Sequence, residues 1–230
     1  MKYALLLPFL LPLSAGAEIF AAGGYLLELQ RVENARKSRS MELLYSRGQE
    51  LCDELAESLD SMNARELDRS SAALRGIDIW TSEPSGAALN VEFFLSLAAR
   101  KGKKADREFF SILKDERPAG SGDVYTSAFD SFTGCITLGS GAFVKFYGRW
   151  TAFQEKYPNN YPDAAQEALQ NIEDVLRRAT CVCGGRDKAL KELNDFMHTF
   201  PETTVMDDLA ERSVQFRKSN SGIRFECKQN

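Results

Sequence analysis

Past its first seventeen residues the chain has no run of 18 apolar residues, so nothing there is built to span roughly 30 Å of hydrocarbon as a helix. It has a single histidine, His198, and no Gly-x-Ser-x-Gly elbow, which leaves acyl-transfer chemistry without its usual signature. Sustained apolar–polar alternation bounded by turns is missing, and with it the signal for strands. Basic residues are not in excess: 29 Lys and Arg face 33 Asp and Glu, for a net charge of −4. That balance excludes a chain designed throughout to grip nucleic acid.

The first residues read as a secretory leader. Lys2 supplies a positive start, Tyr3 to Leu13 an apolar stretch broken by Pro8 and Pro12, and Ala15-Gly16-Ala17 a small-x-small cleavage site. The apolar stretch is too short for a membrane anchor. The expected destination is the bacterial periplasm, or secretion beyond it. In that oxidising setting the cysteines matter. There are five: Cys52, Cys135, Cys181, Cys183 and Cys227. An odd number leaves one thiol over. Cys181 and Cys183 are too close to pair comfortably with each other. One of them is expected to reach Cys135, the other Cys227, with Cys52 left free in its helix. Spacing alone leaves the connectivity open.

Three prolines, Pro118, Pro158 and Pro201, lie 40 and 43 residues apart behind one apolar frame. Phe110 and Leu113 precede the first, Trp150 and Phe153 the second, Leu193 and Phe196 the third. Proline lacks the N–H and crowds the preceding turn, so each frame reads as the end of a packed helix. A period near 40 residues marks stacked helix pairs. Upstream, Met41, Leu44, Leu51, Leu55 and Leu59 form a helical stripe, and Asn63 with Glu66 resembles a capping box. Gly76 and the stretch from Thr81 to Gly86 mark a loop. The expected hairpins are 87–116, 123–157 and 162–200, followed by one capping helix. The fold class expected is all-α: stacked antiparallel hairpins in a short α-solenoid-like array, stapled by disulfides. The chain divides into the leader 1–17, a helical segment 18–80 and a hairpin domain 81–230.

The run from Phe153 to Leu169, with Tyr157-Pro158-Asn159-Asn160-Tyr161-Pro162 at its centre, resembles the helix–turn–helix join of exported tetratricopeptide proteins. Phe196 to Pro201 followed by Asp208-Leu209-Ala210-Glu211 echoes it, so the resemblance covers roughly residues 142–215. The period is longer than that family's, and its usual repeat opening is missing. The resemblance implies a helical-repeat architecture and a protein-binding habit, with no catalytic residues to carry over.

The remaining candidates are weighed by chemistry. Cys181-Val182-Cys183 has one residue between its thiols where a thioredoxin-type motif needs two. A metal site would need four ligands that the sequence does not gather. His198 sits where a helix C-terminus would use it. Asp163 with Glu167, and Asp207 with Asp208, read as solvated surface. The aromatic stripe from Phe143 to Tyr157 at helical spacing is core or groove, core being commoner. Tyr147, Trp150 and Tyr161 are the possible partner-contacting members. Arg100-Lys101-Gly102-Lys103-Lys104 is a basic turn, solvated or touching an anionic surface. The expected role is binding a protein or peptide in the cell envelope, with no cofactor, metal or catalytic residue assigned. The rival roles are an immunity-type inhibitor of a toxic enzyme, and a small-ligand carrier or enzyme using a groove between helices.

Overall fold

The computed structural model of the chain describes residues 20–62, 71–81, 85–117, 135–218 and 222–225. The leader, Asn63 with Glu66, Pro118, the helix expected from Asp123 to Gly134, and Cys227 lie outside those residues. The fold is mostly helical, and the described residues also include four short strands. It divides into two compact units.

One unit comprises the chain up to Asn34 together with Leu43–Leu89. Helix α1 spans Phe20–Glu33 and helix α2 Glu42–Ser58. The leucines of the expected α2 stripe, Leu44, Leu51 and Leu55, are fully buried, as the 3.6-residue period requires. Gly48 lets the elements approach: a Cβ there would sit 2.5 Å from Leu89 Cδ2 and 3.5 Å from the Tyr25 ring. Tyr25 is itself buried, and its hydroxyl donates to the Arg75 carbonyl at 2.5 Å. The expected loop after Gly76 is in fact flanked by strands β1 (Ile77–Trp80) and β2 (Gly86–Leu89), paired antiparallel with Ile77 opposite Leu89. Ile77, Ile79 and Trp80 are residues that suit a pleated, half-buried surface. Ala87 to Leu89, expected as a first helical turn, therefore belong to β2 instead. The helix starts later because Asn90 caps it, its side-chain oxygen accepting from the Phe93 N–H at 2.8 Å.

The other unit comprises Ala35–Glu42 and residues from Asn90 onward. Its helices are α3 (Val91–Lys101), α4 (Lys104–Glu116), α5 (Ala142–Lys156), α6 (Pro162–Arg178), α7 (Arg186–Thr199) and α8 (Met206–Arg217). All six residues of the apolar frame are buried. The backbone repeats with them. Arg117, Tyr157 and Phe200, each just before a proline, share one geometry: φ −125°, −134° and −124°, with ψ 73°, 60° and 64°. Each donates its N–H to the carbonyl four residues back, on Leu113, Phe153 and Phe196. Proline excludes the α region for the residue ahead of it, and the helix stops there.

Helix α3 packs on α4, α5 on α6 and α7 on α8; α4 also meets α5, α5 meets α7, and α6 meets α8. The first expected hairpin is thus present, the first helix of the second lies outside the described residues, and the third is paired differently, α6 packing on α5 and α7 on α8. Pro158 and Pro201 lie inside the α5–α6 and α7–α8 joins, not between successive pairs. A proline ends a helix without choosing the flank on which the chain folds back; the short joins at 157–161 and 200–205 do that.

Strands β3 (Cys135–Thr137) and β4 (Cys181–Cys183) run parallel, with Cys135 directly opposite Cys181. Arg224 flanks β4 on its other side, its carbonyl accepting from the Val182 N–H at 2.7 Å and its N–H donating to the Thr180 carbonyl at 3.0 Å. The sharp exit from β4 is made by Gly184 at φ 111°, where a Cβ would lie 2.3 Å from the Leu138 carbonyl oxygen. No helix among the described residues is long and apolar enough to cross a membrane.

Candidate functional site

Trp150 and Tyr161, expected at a partner-binding groove, are core residues at 0% and 2% exposure. Burial of a large aromatic is worth about 2–3 kcal/mol, and each polar tip has found an internal acceptor. Trp150 Nε1 donates between the two carboxylate oxygens of buried Glu116, at 3.3 and 3.2 Å. The Tyr161 hydroxyl donates to Asp106 at 2.6 Å, and its ring stacks on Phe109 with centroids 3.8 Å apart. Tyr161 is the non-glycine residue with positive φ among those described, at 52°. Tyr147 alone of the three reaches the surface in part. Its hydroxyl donates to Glu173 at 2.6 Å, and Thr203 donates to the same carboxylate oxygen at 2.6 Å. Burial, then the bond to Glu173, pushes its phenol up to about 12. Its ring lies against Phe196 and Phe200.

One cleft of this unit lies where the β3–α5 turn meets α7. It encloses about 260 Å³ between Gly139, Ser140 and Gly141 on one side and Lys188, Lys191 and Asp195 on the other. Glu192 forms its floor. This carboxylate is 3% exposed and holds the turn in place, accepting from the Phe143 N–H at 3.1 Å and from the Gly139 N–H. It thereby caps α5, whose N-terminus carries free N–H groups and partial positive charge. Lys191 and Asp195 pair across one helical turn at 2.6 Å. The groups facing the cleft are small or charged, and the charges are of both signs. The Gly-Ser-Gly turn is visible in the sequence; Glu192 is not, because an acid on a helix face carries no mark of its burial.

Cys135 and Cys181 form a disulfide with sulfurs 1.85 Å apart and Cα atoms 4.4 Å apart, as one of the expected pairings had it. Cys183 is also disulfide-bonded. Among the described residues Cys52 is the free cysteine, buried in α2, and burial pushes its thiol up to about 12. A thiol so held is protonated and inert. His198 lies exposed in the last turn of α7 and Asp163 in the first turn of α6, both where the helix dipole favours them. Glu167 and Asp207 are exposed, and Asp208 is exposed and meets Arg177 at 3.5 Å. Among the described residues no three His, Cys, Asp or Glu side chains come together as metal ligands.

Neither a family model, nor a curated protein, nor a solved structure matches this chain.

Proposed function

We propose that this chain is an exported helical-repeat protein whose hairpin unit binds a protein or peptide in the cell envelope. The observation that carries this reading is the like-on-like packing of two successive helix pairs, α5 on α7 and α6 on α8. Such packing builds a short array in which first helices share one face and second helices the other. The cleft between the β3–α5 turn and α7 opens on the first-helix side, where Lys188, Lys191 and Asp195 would meet a partner of mixed charge. The disulfide between Cys135 and Cys181 supports an oxidising destination.

The test is site-specific photocrosslinking in the native envelope. A photoreactive residue at Lys191 or Lys188 should yield one discrete adduct, lost when Asp195 is replaced by Lys. The same residue at Gln170 or Glu211, exposed on second helices, should yield none. Equal labelling at all four positions, or no adduct at any, would overturn the reading.

A further inference from the structure

The hairpin unit gathers two basic segments that are remote in sequence. The turn between α3 and α4 carries Arg100, Lys101, Lys103, Lys104 and Arg107. Against it lies the segment 35–42, which carries Arg36, Lys37 and Arg39. Backbone geometry fastens one to the other. The Arg39 N–H donates to the Lys101 carbonyl at 2.9 Å, and Lys101 Nζ donates to the Ala35 carbonyl at 3.0 Å. Two residues on, the Met41 N–H donates to Asp106 at 2.9 Å. Arg36 and Lys37 are therefore held between two anchor points on the basic turn.

Seven of these side chains are exposed: Arg36, Lys37, Arg39, Arg100, Lys103, Lys104 and Arg107. Of the acids nearest in sequence, Asp106 is 1% exposed and occupied by three hydrogen-bond donors, Glu42 is half-buried, Glu33 pairs with Arg75 and Glu108 with Lys156. Elsewhere on these helices lysines and acids pair, as in Lys114 with Glu92 and Lys156 with Glu108. Arg36, Lys37, Arg100, Lys103, Lys104 and Arg107 make no such pair with a described residue. A chain of net charge −4 thus concentrates positive charge on one turn and the segment fastened to it.

We infer that this patch docks the protein on an anionic phospholipid bilayer. The charge is the complement of such a surface, and each basic residue near it contributes about 1 kcal/mol of attraction, or roughly fivefold in affinity. The charges stand on a helix–helix turn and on the segment hydrogen-bonded to it. Residues 35–41 and 99–107 include no aromatic side chain on which bases would stack.

Co-flotation of the full chain with vesicles tests this. Binding to phosphatidylcholine vesicles containing phosphatidylglycerol, and not to phosphatidylcholine alone, is expected, with release as salt is raised. The double variants Arg36→Glu with Lys37→Glu, and Lys103→Glu with Lys104→Glu, should each weaken binding by about thirtyfold or more. Lys188→Glu with Lys191→Glu, a basic pair away from the patch, should leave it unchanged. All six positions are exposed, so circular dichroism of the variants should match the parent. The inference falls if anionic vesicles are not bound, if the cleft pair weakens binding as much as the patch pairs, or if a single-stranded oligonucleotide is bound while vesicles are not.

Discussion

Asp106 shows how much one buried side chain can organise. Its carboxylate accepts from the Met41 N–H at 2.9 Å, the Lys103 N–H at 2.6 Å and the Tyr161 hydroxyl at 2.6 Å. Those donors come from the strap 35–42, the α3–α4 turn and the α5–α6 join. Replacing Asp106 by Ala would leave three donors short of an acceptor in a dry interior. A loss of about 3 kcal/mol or more is expected, read as a fall in the urea midpoint. Tyr161→Phe removes one donor and keeps the ring on Phe109, so about 1–2 kcal/mol is expected there. If both variants were neutral, the hub would be decoration. None of this was readable in advance. Asp106 sits in a charged stretch, Lys103 to Arg107, that looks solvated throughout, and its partners are distant in sequence. Trp150 and Tyr161 misled for a related reason: an aromatic at helical spacing has the same signature whether it faces a core or a groove. Their burial is decided by Phe109, Glu116 and Asp106, which belong to another helix.

At the scale of elements, helix ends were legible and pairings were not. The three prolines and their apolar frames are local, and local sterics determine where each helix stops. Which neighbour a helix folds against depends on join length and on contacts between separate segments, so α6 pairs with α5 and not with α7 as the third hairpin expects. The strands escaped notice because β3 and β4 are three residues each, too short to show a period, and pair across 46 residues. Cysteine chemistry pointed to that contact where pattern could not. The turn after β4 offers a test. Gly184→Ala would place a methyl against the Leu138 carbonyl at φ 111°, and should cost at least about 2 kcal/mol in denaturant unfolding. Gly141→Ala also has positive φ, 79°, but open space around it, and should cost only about 1 kcal/mol. Equal effects would mean that the close approach is not what demands glycine.

For the molecule as a whole, burial sets an alkaline limit. Cys52 moves from 9.0 to about 12 and Tyr147 from 10.0 to about 12, both chiefly through burial; Tyr25 is raised in the same way. Each group keeps its proton longer in the folded chain than in the unfolded one. Their contribution is complete below about pH 9 and declines as pH rises towards about 12, because the unfolded state ionises first. Denaturant titrations across that range should show stability falling with pH, and Cys52→Ala should flatten the early part of the fall. A decline no different in that variant would exclude the thiol as a contributor. The bond between Cys135 and Cys181 has a further consequence, a mechanical one. It closes a covalent ring around α5 and α6, its ends 46 positions apart in the sequence. Under tension applied at the two termini, that stretch cannot pay out while the bridge is intact. The oxidised chain therefore extends about 160 Å less than the reduced one, and the second helix pair is shielded from the pull.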